Sequence, residues 1–319
     1  MSNWRPTASL AALGRRAELF AAIRRWFAER GVMEVETPLL ASAPVTDPNI
    51  DAIATVNPLV GDHPCYLQTS PEFAMKRLLA AGSGPIYQIC KAFRRSERGA
   101  RHNPEFTMLE WYRPGMALEV LMDEVAAVIQ LALGDRPVRR LSYRQAFLNA
   151  AQLDPFTATV AQLRDCAARQ LELSFDSDDR DTWLQLLMST VVEPSLDAHE
   201  ITLVDDFPAT QAALAKTATD VQGRLVARRF EAFCGGMELA NGYDELCDAS
   251  ELLRRMRRDH QQRRAAGQEL PPIDRHLLAA MQAGLPECSG VAMGLDRLLM
   301  LSSRCSRIDE VLAFPLERA

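Results

Sequence analysis

Residues 94–113 read RRSERGARHNPEFTMLEWYR, and the fold turns on this stretch. It follows a short apolar run, Ile86-Tyr87-Gln88-Ile89-Cys90, which reads as a buried strand. Two arginines open it, a polar, turn-prone segment around Gly99 reverses it, and a second strand brings it back. Alternation in that second strand puts Phe106, Met108, Glu110 and Tyr112 on one face and Thr107, Leu109 and Trp111 on the other. A carboxylate and a phenol within an otherwise apolar strand need partners, because an unpaired buried charge is costly. The hairpin presents arginines and a histidine at its tip, an aromatic ring partway along and a Glu/Tyr pair at its base. That layout suits an elongated ligand with phosphates at one end and a cation at the other. A two-stranded ribbon with a solvated basic loop would carry the same residues.

The chain has 319 residues, of which 48% are hydrophobic and 24% charged, enough to bury a sizeable core. It lacks both a continuous apolar run of membrane-spanning length and the apolar core of a signal peptide, so the expected location is cytoplasmic. Seven scattered cysteines form no CxxC pair, which argues against structural zinc and against a disulfide framework. A net charge of −6 argues against a surface built to grip nucleic acid. Of 36 basic residues only three are lysine (Lys76, Lys91 and Lys216), an imbalance we attribute to genome composition.

Before the hairpin, positions 13–30 form an amphipathic helix stopped by Gly31, and Val32 to Pro38 form a short strand ended by proline. Positions 41–66 read as loop with short strands. Ser70-Pro71-Glu72 opens a helix running to Gly82, with serine placed to cap and glutamate at the positive end. After the hairpin, helical patterns at 116–133, 142–151, 159–171 and 181–192 form a mostly helical insertion over about 116–195 of a single domain. A strand is expected at 200–204, and 210–230 has no clear pattern. Two dense segments follow: Met237-Glu238-Leu239-Ala240-Asn241-Gly242-Tyr243-Asp244-Glu245, and Cys288 to Met300, a small-residue strand leading into a helix with Arg297 in its first turn. Between them, 249–266 is a strongly basic helix that reads as solvated.

In this order the three motif-bearing segments resemble the three signature motifs of class II aminoacyl-tRNA synthetases, specifically the lysyl subgroup. Val35-Glu36-Thr37-Pro38 is similar to the first, 93–113 to the second and Gly294-Leu295-Asp296-Arg297 to the third. The likeness covers nearly the whole chain. Fewer than forty residues precede Pro38, too few for the anticodon-binding barrel that a full lysyl enzyme carries there. A free-standing core of this length resembles the elongation factor P–(R)-β-lysine ligase family. That resemblance implies an α+β fold, an antiparallel sheet flanked by helices, in a homodimer. The implied reaction is ATP-dependent, Mg2+-assisted activation of (R)-β-lysine or lysine and transfer to a lysine of elongation factor P, without a stable nucleic acid partner. The alternatives are a truncated synthetase charging tRNA and a silent regulator that binds lysine or adenylate.

Adenylation is mainly positioning and charge neutralisation, for which arginines and Mg2+ are suited. By resemblance, Arg94 holds the α-phosphate, Arg297 the γ-phosphate, and His102 lies near the phosphate tail. Asn103 and Phe106 frame adenine, while Arg95, Ser96, Glu97, Leu239 and Gly294 complete the ATP set. Glu238 and Glu245 are the implied Mg2+ ligands, Glu245 the closer to the amino acid. Ser70, Pro71, Glu72, Glu110, Tyr112, Asn241, Glu245 and Ala292 line the amino-acid site, with Glu110, Tyr112 and Glu245 around the distal ammonium. Two departures stand out. Relatives carry Arg-x-Glu at the start of the second motif, where this chain has Ser96 and places its glutamate one residue later, at Glu97. Lysyl enzymes tend to have glycine where this chain has Ala292, and one added methyl on a pocket floor shifts selectivity by about 1–3 kcal/mol.

Overall fold

The computed structural model describes residues 4–57, 59 and 63–319. Helix α1 (Leu10–Ala28) begins where Ser9 Oγ accepts the Ala12 N–H, and it buries Leu19, Ile23, Trp26 and Phe27 on one side. Strand β1 is only Met33–Glu34, shorter than the expected 32–38. Its backbone pairing ends one residue on, where the Val35 N–H reaches Tyr87 O. In the expected loop at 41–66 lie β2 (Leu40–Ala41), β3 (Ala54–Thr55) and β4 (Cys65–Leu67), joined as a small antiparallel sheet. Positions 58 and 60–62 fall outside the described residues. Helix α2 (Glu72–Ala80) starts one residue later than expected, with Pro71 at its N-cap and the Ser70 hydroxyl accepting the Glu72 N–H at 3.0 Å. The decisive hairpin is β5 (Ile86–Phe93) and β6 (Glu105–Pro114), antiparallel with Gln88 opposite Glu110.

Next come α3 (Leu118–Leu133), β7 (Val138–Ser142), α4 (Tyr143–Ala151), α5 (Val160–Ala168), α6 (Arg180–Leu187), a π-turn at Met188–Val192 and the single turn α7 (Glu193–Ser195). Strands β8 (Ile201–Pro208), β9 (Thr217–Thr219), β10 (Leu225–Cys234) and β11 (Met237–Asp244) follow. The region without a clear pattern, 210–230, is thus mostly the β9–β10 hairpin. Last are α8 (Ala249–Ala265), α9 (Arg275–Gly284), β12 (Cys288–Gly294) and α10 (Leu295–Ser303). Among the described residues no helix is long and apolar enough to cross a membrane.

By packing, the chain divides into two compact units. The first takes Met1–Ala117, Leu131–Leu133 and Glu245–Ala319; the second takes Leu118–Gln130 and Gly134–Asp244. The second unit holds strands as well as helices. In it β7 runs parallel to β8, β10 pairs antiparallel with β8, β9 and β11, and Tyr143, Phe147, Trp183, Leu184 and Phe207 anchor a core of their own.

The first unit carries the order β1-β5-β6-β12, with β1 parallel and the rest antiparallel. Helix α1 closes one face of this sheet: Phe27 stacks on Tyr87 at 4.3 Å and meets Trp111 edge-on at 5.5 Å. Trp111, an odd-numbered residue of β6, thus faces α1. Glu110 and Tyr112 therefore project from the opposite face, where α2 supplies the neighbours.

Candidate active site

Register builds the floor of the pocket. Glu110 on β6 lies between Gln88 on β5 and Ala292 on β12, and Tyr112 lies between Ile86 and Gly290. The Tyr112 hydroxyl donates to Glu110 Oε1 at 2.6 Å. Gly290 is required by space: a Cβ there would sit 2.4 Å from the Tyr112 ring and 2.5 Å from Glu245 Oε1. From α2, Lys76 places its Nζ 2.6 Å from Glu72 Oε1 and 2.6 Å from Glu245 Oε2. Glu72, Glu110, Tyr112, Glu245 and Ala292, expected around the amino acid, are thus brought together, with Ser70 and Pro71 at the start of α2.

Burial and mutual repulsion set the protonation of this cluster. Glu110 is pushed up to about 8, first by burial and then by the Glu72 carboxylate, against the opposing hydrogen bond from Tyr112. Its Oε2 is buried with no hydrogen-bond partner among the described residues. Burial would lower Lys76, but Glu245 and then Glu72 outweigh it, so the amine is held firmly as an ammonium. The Tyr112 phenol is raised well above its ordinary range by burial and by Glu110. A buried carboxyl with its pKa raised and one oxygen unpartnered has the chemistry to accept an ammonium group.

The other end of the hairpin gathers arginines. Arg94 pairs with Glu97 at 3.1 Å and lies over the Phe106 ring at 5.2 Å, while its Nε is buried without a partner among the described residues. An unsatisfied guanidinium donor beside an aromatic face fits a nucleotide, with a phosphate for the donor and a base for the ring. Glu97 is committed to Arg94, and Ser96 takes a left-handed backbone (φ 65°), unusual for a residue other than glycine. Arg95 anchors the strand end through its N–H on Asp51 O. Arg297 in the first turn of α10 lies 2.6 Å from His102 Nε2, joining the two residues expected at the phosphate tail. Asn103 is tied on both sides, donating to Glu105 O and accepting from Leu316 N–H. Gly294 caps α10.

Glu238, Leu239 and Asn241 lie on β11 in the second unit. Simple alternation would send Glu238 and Asn241 to opposite faces. The pairing changes register: Phe233 faces Glu238, but Ala232 faces Ala240. Leu239 is the extra residue of a β-bulge, which returns Glu238 and Asn241 to one face. Asn241 Oδ1 is buried without a partner among the described residues, and Glu238 is half-buried. Among the described residues no three His, Cys, Asp or Glu side chains gather closely enough to hold a metal by themselves. A Mg2+ ion that leans on substrate phosphates needs only one or two carboxylates, and Glu238 fits that demand. Glu245 is already ion-paired with Lys76.

Several contributors escaped the sequence reading. Lys76 is one. Asp296 is another: it is buried at the start of α10, accepts the Thr107 N–H at 2.6 Å and pairs with Arg16 of α1, fixing the turn that carries Arg297. The basic helix α8 is only partly solvated, since Arg263 is buried and donates to Thr46, Asp47 and Ile50 carbonyls, bracing the loop that ends at Asp51. Apart from Lys76 and Glu72, which are one helical turn apart, the partners are far apart in the chain, so sequence spacing carries no signal for these contacts.

Comparison with known proteins bears directly on this geometry. The sequence matches the family described as tRNA synthetases class II (D, K and N) over residues 2–318. It is 48% identical over 324 residues to the elongation factor P–(R)-β-lysine ligase of Pectobacterium atrosepticum, covering 100% of this chain and 99% of that protein. It is 49% identical to the proteins of the same name from Edwardsiella ictaluri, over 325 residues, and Pseudoalteromonas translucida, over 321. These cover 100% and 99% of this chain, and 99% and 98% of the relatives, respectively.

Proposed function

This chain belongs to the class II tRNA synthetases, among the elongation factor P–(R)-β-lysine ligases, and we propose that it activates (R)-β-lysine with ATP and passes the acyl group to a lysine amine of elongation factor P. The observation that carries the amino-acid side of this reading is the cluster of Glu72 with the buried Glu110 and Glu245, Glu110 keeping one oxygen unpartnered and its pKa raised by burial.

In this reading Glu110 and Tyr112 receive the distal ammonium and Glu72 the other amine, with Ala292 as the floor beside Glu110. Arg94 and Arg297 neutralise the charge that grows on the phosphates, and Phe106 stacks on adenine. His102 steadies the Arg297 guanidinium. When bound, Mg2+ would add charge neutralisation, with Glu238 as its protein ligand. Because Glu97 is paired with Arg94, adenine's amino group is met from the Ser96 region of the backbone. The acceptor amine then attacks the activated carbonyl, AMP leaves, and an amide results.

Pyrophosphate exchange with α-lysine, (R)-β-lysine and (S)-β-lysine tests the activation step, and preference for (R)-β-lysine is expected. Labelled amino acid supplied with ATP and elongation factor P should yield protein-bound label that survives ribonuclease and mild alkali. Label lost to either treatment is an ester on RNA and would refute the proposal in favour of tRNA charging.

A further inference from the structure

The amino-acid pocket already contains a cation. Lys76 is 3% exposed at its side chain and sits between Glu72 and Glu245, in a site that has to take up positive charge. A like charge there should repel the ligand. The resolution lies in the number of charges. Glu72, Glu110 and Glu245 carry three negative charges once the ligand has displaced the Glu110 proton, and an amino acid with two amines brings two positive ones beside the carboxylate that goes to ATP. A third negative charge left uncompensated in the interior would be costly once the pocket closes over its ligand.

We propose that Lys76 is a positioning residue of the amino-acid site. Its ammonium cross-links Glu72 on α2 to Glu245, just ahead of α8, so that each carboxylate is held with one oxygen turned away. It also cancels the one negative charge that a diamino acid does not. This inference rests on the reading above that the three carboxylates receive the amines. The choice of side chain supports it. In a chain whose basic residues are otherwise almost all arginine, this position is lysine. An ammonium is a compact point charge that fits between two carboxylates 2.6 Å away on either side, whereas a planar guanidinium needs more room and imposes its own geometry.

The experiment compares Lys76→Met, Lys76→Ala and Lys76→Arg with Glu110→Gln in pyrophosphate exchange, varying amino acid and ATP separately. Lys76→Met and Lys76→Ala should raise KM for the amino acid roughly tenfold or more while KM for ATP stays within about twofold. Lys76→Arg should not restore it. Propylamine, which can enter the space freed in Lys76→Ala, should lower KM for the amino acid again. A KM for the amino acid that falls in Lys76→Met would make Lys76 a competitor of the ligand and overturn the inference. So would propylamine raising the melting temperature of Lys76→Ala without lowering KM, which marks a purely structural cation. Glu110→Gln separates the two levels: if it leaves KM for the amino acid unchanged, the reading of the pocket itself is wrong. If Glu110→Gln raises KM and the Lys76 variants do not, only the role of Lys76 is lost.

Discussion

Gly290→Ala is the sharpest test of the pocket, because a single methyl is enough to break it. The new Cβ would lie 2.4 Å from Cδ1 and Cε1 of Tyr112 and 2.5 Å from Glu245 Oε1, where carbon contacts normally begin near 3.4 Å. One of the three must move by about an ångström. Glu245 is pinned by Lys76 and Tyr112 by Glu110, and both are about as buried as a side chain can be. Overpacking of this kind costs about 1–3 kcal/mol of stability. Displacing the Tyr112 ring also strains the 2.6 Å hydrogen bond to Glu110, and once the ligand has displaced the Glu110 proton a hydrogen bond to that charged group is worth about 1.5–3 kcal/mol. Converted at about 1.4 kcal/mol per decade, KM for the amino acid should rise roughly 10- to 150-fold. KM for ATP should hold within about threefold, since the hairpin tip is untouched. The assay is pyrophosphate exchange with each substrate varied in turn, beside a thermal melt. A folded variant whose KM for the amino acid is unchanged would refute the argument that Gly290, Tyr112 and Glu245 wall the ligand site.

Glu110 makes the protein pH-sensitive in a definite direction. Its pKa, raised from the ordinary carboxylate value to about 8, stabilises the fold fully below the ordinary value, and that contribution is lost as pH rises through 8. Stability should therefore decline with pH across that window and decline less in Glu110→Gln, as thermal melts at pH 5, 7 and 9 would reveal. Affinity for the diamino acid should run the opposite way, rising with pH up to about 8 as binding displaces the Glu110 proton. Calorimetry in buffers of different ionisation heat should detect that proton, and finding none released would count against it. Arg297→Ala should abolish exchange without altering the melt, and near-normal exchange would remove Arg297 from the phosphate site. Ala292→Gly should raise the kcat/KM ratio of α-lysine to (R)-β-lysine, because the lost methyl faces Glu110 across the β6–β12 pairing; an unmoved ratio would show that the floor does not select.

The hairpin and β12 were legible because their signals are local. Alternation along 105–114 and the small-residue run at 288–294 each specify a strand without reference to the rest of the chain. The β9–β10 region was not legible: Arg228 and Arg229 interrupt its apolar pattern, Arg228 being satisfied by the distant Glu119 and Arg229 by Glu231 on its own strand. The bulge at Leu239 is equally silent, since an extra residue in a ladder is defined by the partner strand. Within the site, the sequence pointed to Glu110, Tyr112 and Arg94 through their unusual setting in an apolar hairpin. Lys76 drew no notice, because a lysine four residues after a glutamate on a helix ordinarily marks a solvated pair. Its burial depends on Glu245, which reaches it only through the tertiary fold.

A protein that produces a reactive acyl group for amines is usually the nearest bystander to its own product. This one offers almost nothing to modify. Lys76 is enclosed between Glu72 and Glu245, Lys91 faces Glu105 at 3.2 Å, and Lys216 faces Asp244 at 3.0 Å. Three lysines in 319 residues, one of them buried, leave few amines within reach of the acyl group. Self-labelling at lysine should accordingly be scarce, and a lysine-specific protease can cut this chain at only three places. Modified peptides from an acceptor protein would then stand out cleanly in a digest of the whole reaction mixture.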